Sequence, residues 1–196
     1  ELIIALAQVK EACARANMRA GLLDERIGNA IVSAAMEIQK GHLHDQFPVD
    51  PFQGGAGTST NMNMNEVIAN RAIELLGGTK GDYSIVHPIE HVNLSQSTND
   101  VYPTSVKIAT IKLVIKLSET LAKLQGALQE KESAFAGILK LGRTEMQDAV
   151  PITLGLEFGA YAEAIARDRW RLYKVEERLR QVNLGGTAIG TGLNAK

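Results

Sequence analysis

A chain of 196 residues with 45% apolar and 22% charged residues has the composition of a globular protein with one ordinary core. Its formal net charge is −1, and its Lys and Arg residues are scattered through predicted helices, which excludes the usual basic patterns for nucleic-acid or anionic-membrane binding. No stretch reaches the roughly 18 apolar residues of a membrane-spanning helix, so we expect a soluble, cytoplasmic protein.

Helical patterns dominate the first third of the chain. Residues 2–19 are helix formers with apolar side chains at three-four spacing, and they include the lone cysteine, Cys13, for which we expect a packing role. Asp24 can cap a second helix that ends at Gly41. Prolines and glycines then predict a loop over residues 41–60.

Predicted helices and predicted loops alternate in the rest of the chain. A third helix is predicted from within 61–63 to the glycines that follow Leu76, and residues 79–102 are predicted to form a long loop. Loops of that length in compact domains are usually functional. Long helices are predicted at about 104–138 and about 154–182, and both are apolar enough to need partners outside this chain.

The two ends of the chain resemble internal positions of a longer protein. The chain starts at Glu1, without Met and without a capping residue, directly on a helical pattern. It stops at Lys196 on a glycine-rich stretch. We therefore expect a fragment.

Three polar clusters lie where predicted helices begin, at residues 57–61, 95–100 and 142–145. Hydroxyls, amides and free backbone N–H groups at the positive end of a helix dipole suit a small carboxylate. Each cluster alone is also what an ordinary helix cap requires, and only the presence of three indicates a binding site.

Other candidate motifs predict no chemistry. His87 and His91 lie four residues apart, but Pro88 disfavours a helix that would bring them together, and neither they nor the other histidines have the surroundings of a metal site. The glycines at 190 and 192 match part of a dinucleotide fingerprint, yet no strand is predicted before them. We expect a tight turn there, and neither a metal nor a cofactor.

Four stretches together resemble the aspartase/fumarase superfamily. They are QGGAGTSTNMN (53–63), HVN with SQSTND (91–93 and 95–100), GRT with QDAVP (142–144 and 147–151), and VNLGGTAIGTGLN (182–194). The resemblance implies a mostly α fold, with an N-terminal lyase domain over residues 1–100 and the first part of a central helical bundle over 101–196. It also implies a homotetramer.

The resemblance also implies a site for a small dicarboxylate, L-aspartate or fumarate. Thr58, Ser97 and Thr98 would hold the carboxylate that becomes the aci-carboxylate intermediate. Thr144 would hold the other carboxylate, and Asn99 the leaving group. The catalytic serine of this family lies on a loop with a Gly-Ser-Ser start, which does not occur in this sequence, so we expect no catalytic base in this chain.

Three residues favour an ammonia-lyase over a fumarase within this family. Ala56, Thr98 and Glu145 stand where fumarases usually carry Ser, Ser and His. An acidic side chain at 145 would suit a substrate ammonium group, although Glu145 could instead be an exposed acid in the first turn of a helix. Fumarate hydratase and a non-catalytic helical assembly module remain the alternatives.

Overall fold

The computed structural model describes residues 1–53 and 55–195 and is mostly helical, as the sequence predicts. Gly54 of the glycine run and Lys196, where the second predicted domain would stop, lie outside the described residues. The chain forms two compact units, of which the first joins residues 1–110 to the residues from 180 onward and the second comprises 111–179. The expected domain boundary at residue 100 stays a prediction.

The first unit contains three complete α-helices among its described residues, α1 (Leu2–Arg19), α2 (Glu25–Gln39) and α3 (Thr58–Leu75), and the start of a fourth. The predictions for α1 and α2 are confirmed. Asp24 caps α2, because its Oδ1 accepts from the backbone N–H groups of Arg26 and Ile27 at 2.9 and 3.0 Å. A single turn of 3-10 helix, His44–Gln46, interrupts the loop between α2 and α3.

Helix α3 starts three residues before the predicted range. Its N-cap is Gly57, whose φ of 85° is left-handed and suits glycine. A side chain at this position would collide with Tyr102, since an added Cβ would lie 2.4 Å from its ring. Helix α3 can therefore begin at Thr58 only because residue 57 has no side chain.

The core of the first unit lies between α1, α2 and α3. The largest apolar side chains that are fully buried there come from all three helices and from the segment after α3: Leu6, Ile31, Ile38, Met64, Ile68, Ile73, Val86 and Val92. Burial of such side chains contributes about 1.5–3 kcal/mol each. This core fixes one face of α3 and of α1, from which the polar residues described below project.

The segment between α3 and the next helix contains a turn of π-helix, Pro88–Val92, and no strand at 83–86. The expectation that Pro88 disfavours a helical turn between His87 and His91 is wrong. Pro88 occupies the first position of the turn, where its missing N–H costs nothing. The N–H of His87 donates to Nδ1 of His91 at 2.9 Å, so both histidines are used structurally.

Helix α4 (Thr98–Ala134) begins six residues before the predicted start and contains Pro103. A proline inside a helix leaves the carbonyl four residues earlier without its donor, which here is the carbonyl of Asn99. The side-chain Nδ2 of Asn183 donates to that oxygen at 3.0 Å. A residue 84 positions away thus replaces the missing bond, and the helix continues through Pro103.

The second unit contains the rest of α4, a hairpin of β1 (Leu139–Thr144) and β2 (Gln147–Thr153), and α5 (Leu154–Leu179). The sequence does not predict the hairpin. Its two-residue turn, Glu145 and Met146, has φ values of 53° and 66°, a conformation that normally selects Asn and Gly. Because neither residue is a turn former, the turn leaves no signal in the sequence.

Many large apolar side chains of the second unit are exposed in the single chain. Those on α4 and α5 include Leu113, Leu117, Leu124, Trp170, Tyr173 and Val175. The expectation that these helices need partners is consistent with this exposure. None of the helices in the described part of the chain is long and apolar enough to cross a membrane.

Candidate active site at the start of helix α4

Ser97 and Asp100 form a reciprocal cap at the start of α4. The hydroxyl oxygen of Ser97 accepts from the N–H of Asn99 at 3.3 Å, and Oδ1 of Asp100 accepts from the N–H of Ser97 at 3.0 Å. This is a capping box with Asp in the place of Glu. It fixes the first turn of a 37-residue helix, so the positive end of that helix dipole faces a defined place.

Asp100 also ties the glycine-rich segment to this helix start. Its carboxylate is fully buried, and its second oxygen, Oδ2, accepts from the N–H of Thr187 at 3.0 Å. The side-chain amide of Asn99 donates to the carbonyl of Ala188. Together with the bond from Asn183 to the carbonyl of Asn99, these contacts hold residues 183–188 against the first turn of α4.

A cavity of about 480 Å³ lies between these two segments. One wall is polar and comes from Asn93, Gln96, Ser97 and Thr98. The opposite wall comes from residues 187–194, where Thr187 has a left-handed φ of 54° and donates its hydroxyl to the carbonyl of Leu193 at 2.9 Å. A cavity of this size with hydroxyls at a helix N-terminus can hold a small anion.

A buried polar network supports the floor of this cavity. Lys10, on α1, is fully buried, and its Nζ donates to Oδ1 of Asn93 at 2.8 Å and to Oε1 of Gln96 at 2.9 Å. Oδ1 of Asn93 also accepts from the side-chain amides of Asn61 and Asn65, each at 3.3 Å. Nδ2 of Asn61 reaches Oγ1 of Thr98 at 2.9 Å.

Burial changes the titration of two residues on α1 beside this network. Desolvation lowers the pKa of the Lys10 ammonium from 10.5 to about 7, and the nearby Cys13 and Asp100 oppose that shift. Desolvation likewise raises the pKa of the Cys13 thiol to about 11, with Lys10 opposing. Cys13 therefore stays protonated at neutral pH, which agrees with the packing role expected for it.

The structure brings together only some of the predicted site residues. Ser97 and Thr98 line the 480 Å³ cavity. Asn99 lines a neighbouring cavity of about 410 Å³, together with Gly57 and Tyr102. Thr58 lies exposed in the first turn of α3, three residues before Asn61 and on the same helix face.

Thr144 and Glu145 belong to the second unit and are exposed. Thr144 is the last residue of β1, opposite Gln147, and Glu145 is the first residue of the hairpin turn. The prediction that residues 142–145 enter a helix is wrong, as is the alternative that Glu145 is a first-turn helix acid. Both errors have one cause, which is that the Glu-Met turn is invisible in the sequence.

Sequence reasoning missed Asn93, Gln96 and Thr187, which line the cavity, and Lys10, which supports it from below. Asn93 and Gln96 lie in motifs that carry the family resemblance, and the same is true of Thr187, so a reading of every polar position in those motifs would have found them. Lys10 gives no such signal, because a lysine in a helical pattern is usually exposed.

Within residues 1–53 and 55–195, no three His, Cys, Asp or Glu side chains come together as a metal site would require. Between 180 and 190 there is also no strand, and Gly190 and Gly192 adopt left-handed turns with φ of 90° and 70°. The expectation of a tight turn at these glycines is confirmed.

Comparison with known proteins gives consistent matches over the whole chain. A protein-family model described as "Lyase" matches residues 1–196. The aspartate ammonia-lyase of Bacillus subtilis (strain 168) is 55% identical over 195 residues, with 100% of this chain and 41% of the relative covered. The class II fumarate hydratase of Rhizobium meliloti (strain 1021) is 52% identical over 195 residues, with 99% and 42% covered.

Solved structures match with equal coverage. A fumarate lyase:delta crystallin from Brucella melitensis, in a cobalt-bound crystal, is similar with a TM-score of 0.94 and 54% identity, over 100% of this chain and 42% of that one. A class II fumarase from Schistosoma mansoni has a TM-score of 0.91 and 36% identity, over 100% and 41%. The chain thus spans about two fifths of the length of the relatives it matches.

Proposed function

Because the chain belongs to the lyase family whose model matches all of it, we propose that it is the amino-terminal part of an aspartate ammonia-lyase. The complete enzyme would eliminate ammonia from L-aspartate to give fumarate. The resemblance to the aspartase/fumarase superfamily is confirmed by relatives from both branches. The observation that carries the proposal is the cavity at the start of α4, with two hydroxyls and a helix N-terminus on one side.

The chemistry requires this kind of site. A base removes a weakly acidic C–H proton next to a carboxylate, the electron pair moves into that carboxylate to form the aci-carboxylate, and the C–N bond then breaks with loss of ammonia. Hydrogen-bond donors that are fixed before the reaction stabilise the doubly negative intermediate. Ser97 and Thr98 suit this role, and we assign Thr58 to the same carboxylate.

Asn99 suits the leaving group for a directional reason. One N–H of its Nδ2 donates to the carbonyl of Ala188, which orients the amide and leaves the side-chain oxygen available to a ligand. That oxygen only accepts hydrogen bonds, and the substrate ammonium group, which leaves as ammonia, carries only donors. We assign Glu145 to the same end of the substrate as a countercharge, and Thr144 to the second carboxylate.

The complete site needs parts from beyond the residues of this chain. Neither a Gly-Ser-Ser sequence nor a Met-Pro-x-Lys-x-Asn sequence occurs among the 196 residues, and in the family these supply the serine base and a carboxylate-binding lysine. We propose that the complete protein is a cytoplasmic homotetramer whose bundle covers the exposed apolar faces of α4 and α5. The 196-residue chain alone should have no lyase activity.

The experiment is a direct comparison of substrates. We expect the full-length protein to form fumarate, detected by its absorbance, from L-aspartate with release of ammonia. The isolated chain serves as the control and should form none. Enzyme-like turnover of aspartate by the isolated chain would contradict the missing base.

Fumarate hydratase is the second candidate, because a relative with that name is 52% identical to this chain, close to the 55% of the Bacillus subtilis ammonia-lyase. Robust dehydration of malate by the full-length protein, without deamination of aspartate, would decide for it.

A non-catalytic helical assembly module is separated from both enzymes by Thr98→Ala. A site residue loses substrate binding while the oligomer stays intact, whereas a purely structural first-turn residue loses about 1 kcal/mol of stability.

A further inference from the structure

The network beneath the cavity has a fixed direction of hydrogen bonding. Asn93 is the residue that sets it, because its two ends meet partners of opposite kind. Its Nδ2 donates to the backbone carbonyl of Gln96 at 3.2 Å, and a carbonyl can only accept. Its Oδ1 faces Nζ of Lys10 at 2.8 Å. Both partners require the same orientation of the Asn93 amide.

The orientation of Asn93 determines that of Asn61. The nearest group of Asn61 lies 3.3 Å from the acceptor Oδ1 of Asn93, so it has to be the donor Nδ2, because the opposite orientation would set two carbonyl oxygens against each other. Asn61 is only 1% exposed, and water cannot substitute for either partner. The Asn61 amide is therefore locked.

The locked amide controls the hydroxyl of Thr98. Nδ2 of Asn61 lies 2.9 Å from Oγ1 of Thr98, so the hydroxyl oxygen accepts there and its single proton must point elsewhere. Among the described residues this is the hydroxyl's one hydrogen bond, and Thr98 lines the 480 Å³ cavity. The remaining direction for the proton is toward a ligand in the cavity.

We propose that Asn61 is a positioning residue that makes the Thr98 hydroxyl an obligatory donor to an anionic group of the substrate. The inference rests on the proposed function, since it assigns to Asn61 a part in binding the same dicarboxylate. Asn61 does not touch the substrate. It acts by occupying the acceptor side of the Thr98 hydroxyl, which leaves the donor side for the charge that develops in the reaction.

The test is a double-mutant cycle in the full-length protein with Asn61→Ala and Thr98→Val. Thr98→Val removes the hydrogen bond to the charged group, so kcat/KM for L-aspartate should fall about tenfold to a hundredfold. Asn61→Ala keeps the hydroxyl but frees it to turn away from the substrate, so the fall should be smaller, up to about tenfold. The effect of Asn61 passes through the Thr98 hydroxyl. In the Thr98→Val background, Asn61→Ala should therefore cost less than about threefold more.

Asn65 provides the matched control. It is the same residue type, is fully buried one turn further along α3, and also donates to Oδ1 of Asn93 at 3.3 Å. It does not bond to Thr98. Asn65→Ala should destabilise the protein as much as Asn61→Ala does in thermal unfolding, yet its effect on kcat/KM should be unchanged by Thr98→Val.

A second variant, Asn61→Asp, reverses the direction of the bond. The new carboxylate accepts from the Thr98 hydroxyl and draws its proton out of the cavity, so we expect a larger rise in KM than for Asn61→Ala. Losses that simply multiply in the double variant, or an equal coupling of Asn65 to Thr98, would overturn the proposal.

Binding of succinate, an unreactive dicarboxylate, keeps the two proposals separate. If the parent protein has no lyase activity on aspartate or malate, the proposed function fails. The positioning role is then judged by calorimetric affinity for succinate in the same cycle, where coupling between Asn61 and Thr98 supports it and additivity refutes it.

Discussion

The start of α4 and the hairpin turn after β1 both carry predicted site residues, but they are built in opposite ways. At the start of α4, Thr98 accepts a hydrogen bond from Asn61 and the fully buried Asp100 accepts one from Thr187, and both donors are distant in sequence. At the turn, Thr144 and Glu145 are exposed. The candidate residues of the first unit are thus held in place by other residues of that unit, whereas those of the second unit lie on a surface turn.

This difference indicates what each region can do without further protein around it. Hydrogen-bond donors that are fixed in advance stabilise charge at little cost of reorganisation. The start of α4 has such donors without any further protein around it. The turn has a defined backbone but exposed side chains. Four variants should separate the two regions, and we give them from the largest expected effect to the smallest.

Asp100→Ala should have the largest effect on stability. It leaves the N–H groups of Ser97 and Thr187 without their acceptor in a buried place, at a cost of about 3 kcal/mol or more. Urea unfolding of the full-length protein measures this. The control is Asp148→Ala at the hairpin, where the carboxylate is 66% exposed and we expect less than about 0.5 kcal/mol. Equal costs would mean that the two regions are supported alike.

Lys10→Met should remove a dependence of stability on pH. Burial lowers the pKa of Lys10 from 10.5 to about 7, so between these values the unfolded chain binds a proton that the folded protein does not. The free energy of unfolding therefore rises with pH in this window, by up to about 1.4 kcal/mol per pH unit. The rise is complete above pH 10.5, and the penalty of burying the ammonium is full below pH 7.

Chemical unfolding at pH 7, 8 and 9 should show this slope in the parent and its loss in Lys10→Met. Lys123→Met, at an exposed position of α4, should keep the slope. A parent whose stability is flat or falls across this range would show that Lys10 remains charged when buried.

Asn183→Ala should cost about 1 kcal/mol, because it leaves the Asn99 carbonyl without the donor that replaces the N–H missing at Pro103. In a Pro103→Ala background the helix supplies its own donor, and the cost of Asn183→Ala should fall to a few tenths. Thermal unfolding of the four proteins measures the coupling. Additive effects would mean that Asn183 acts through another contact.

Substitution at the hairpin turn should raise stability, in contrast to Asp100→Ala and Asn183→Ala. Replacing Glu145 by Asn and Met146 by Gly matches the left-handed φ of both positions, and we expect stability to rise by about 0.5–1 kcal/mol. If Glu145 attracts the substrate ammonium, KM for aspartate should rise in the same variant. Met146→Gly alone is the control for the turn. Unchanged KM would leave Glu145 without a role in binding.

The fold could be predicted where the determinants are local. Asp24 and Gly41 lie close to the two ends of α2, and the residues between them carry its apolar face. That helix can therefore be predicted from its own sequence. The start of α4 cannot be predicted in this way, because a proline normally marks a helix boundary. Only the distant Asn183 supplies the hydrogen bond that Pro103 removes. The hairpin could not be predicted for another reason, which is that Glu145 and Met146 adopt a turn that their side chains do not favour.

The site could be predicted only in part, for the same physical reason. Ser97 and Thr98 are recognisable from their motif, and they line the cavity. Lys10 is not, since the acceptors that make a buried ammonium tolerable, Asn93 and Gln96, lie 83 and 86 positions away. The roles of Thr58, Thr144 and Glu145 stay predictions.

The bond from the N–H of Thr187 to Asp100 also sets an order of events during synthesis. Helix α4 and its capping box can form as soon as residues 97–134 have left the ribosome, but Oδ2 of Asp100 has no partner until Thr187 follows. Until a further 87 residues have been translated, water hydrates that carboxylate oxygen in place of the Thr187 N–H. The cavity is therefore a late feature of the nascent chain, and a ligand can bind there only after the segment that carries Asn183 and Thr187 has closed over the helix.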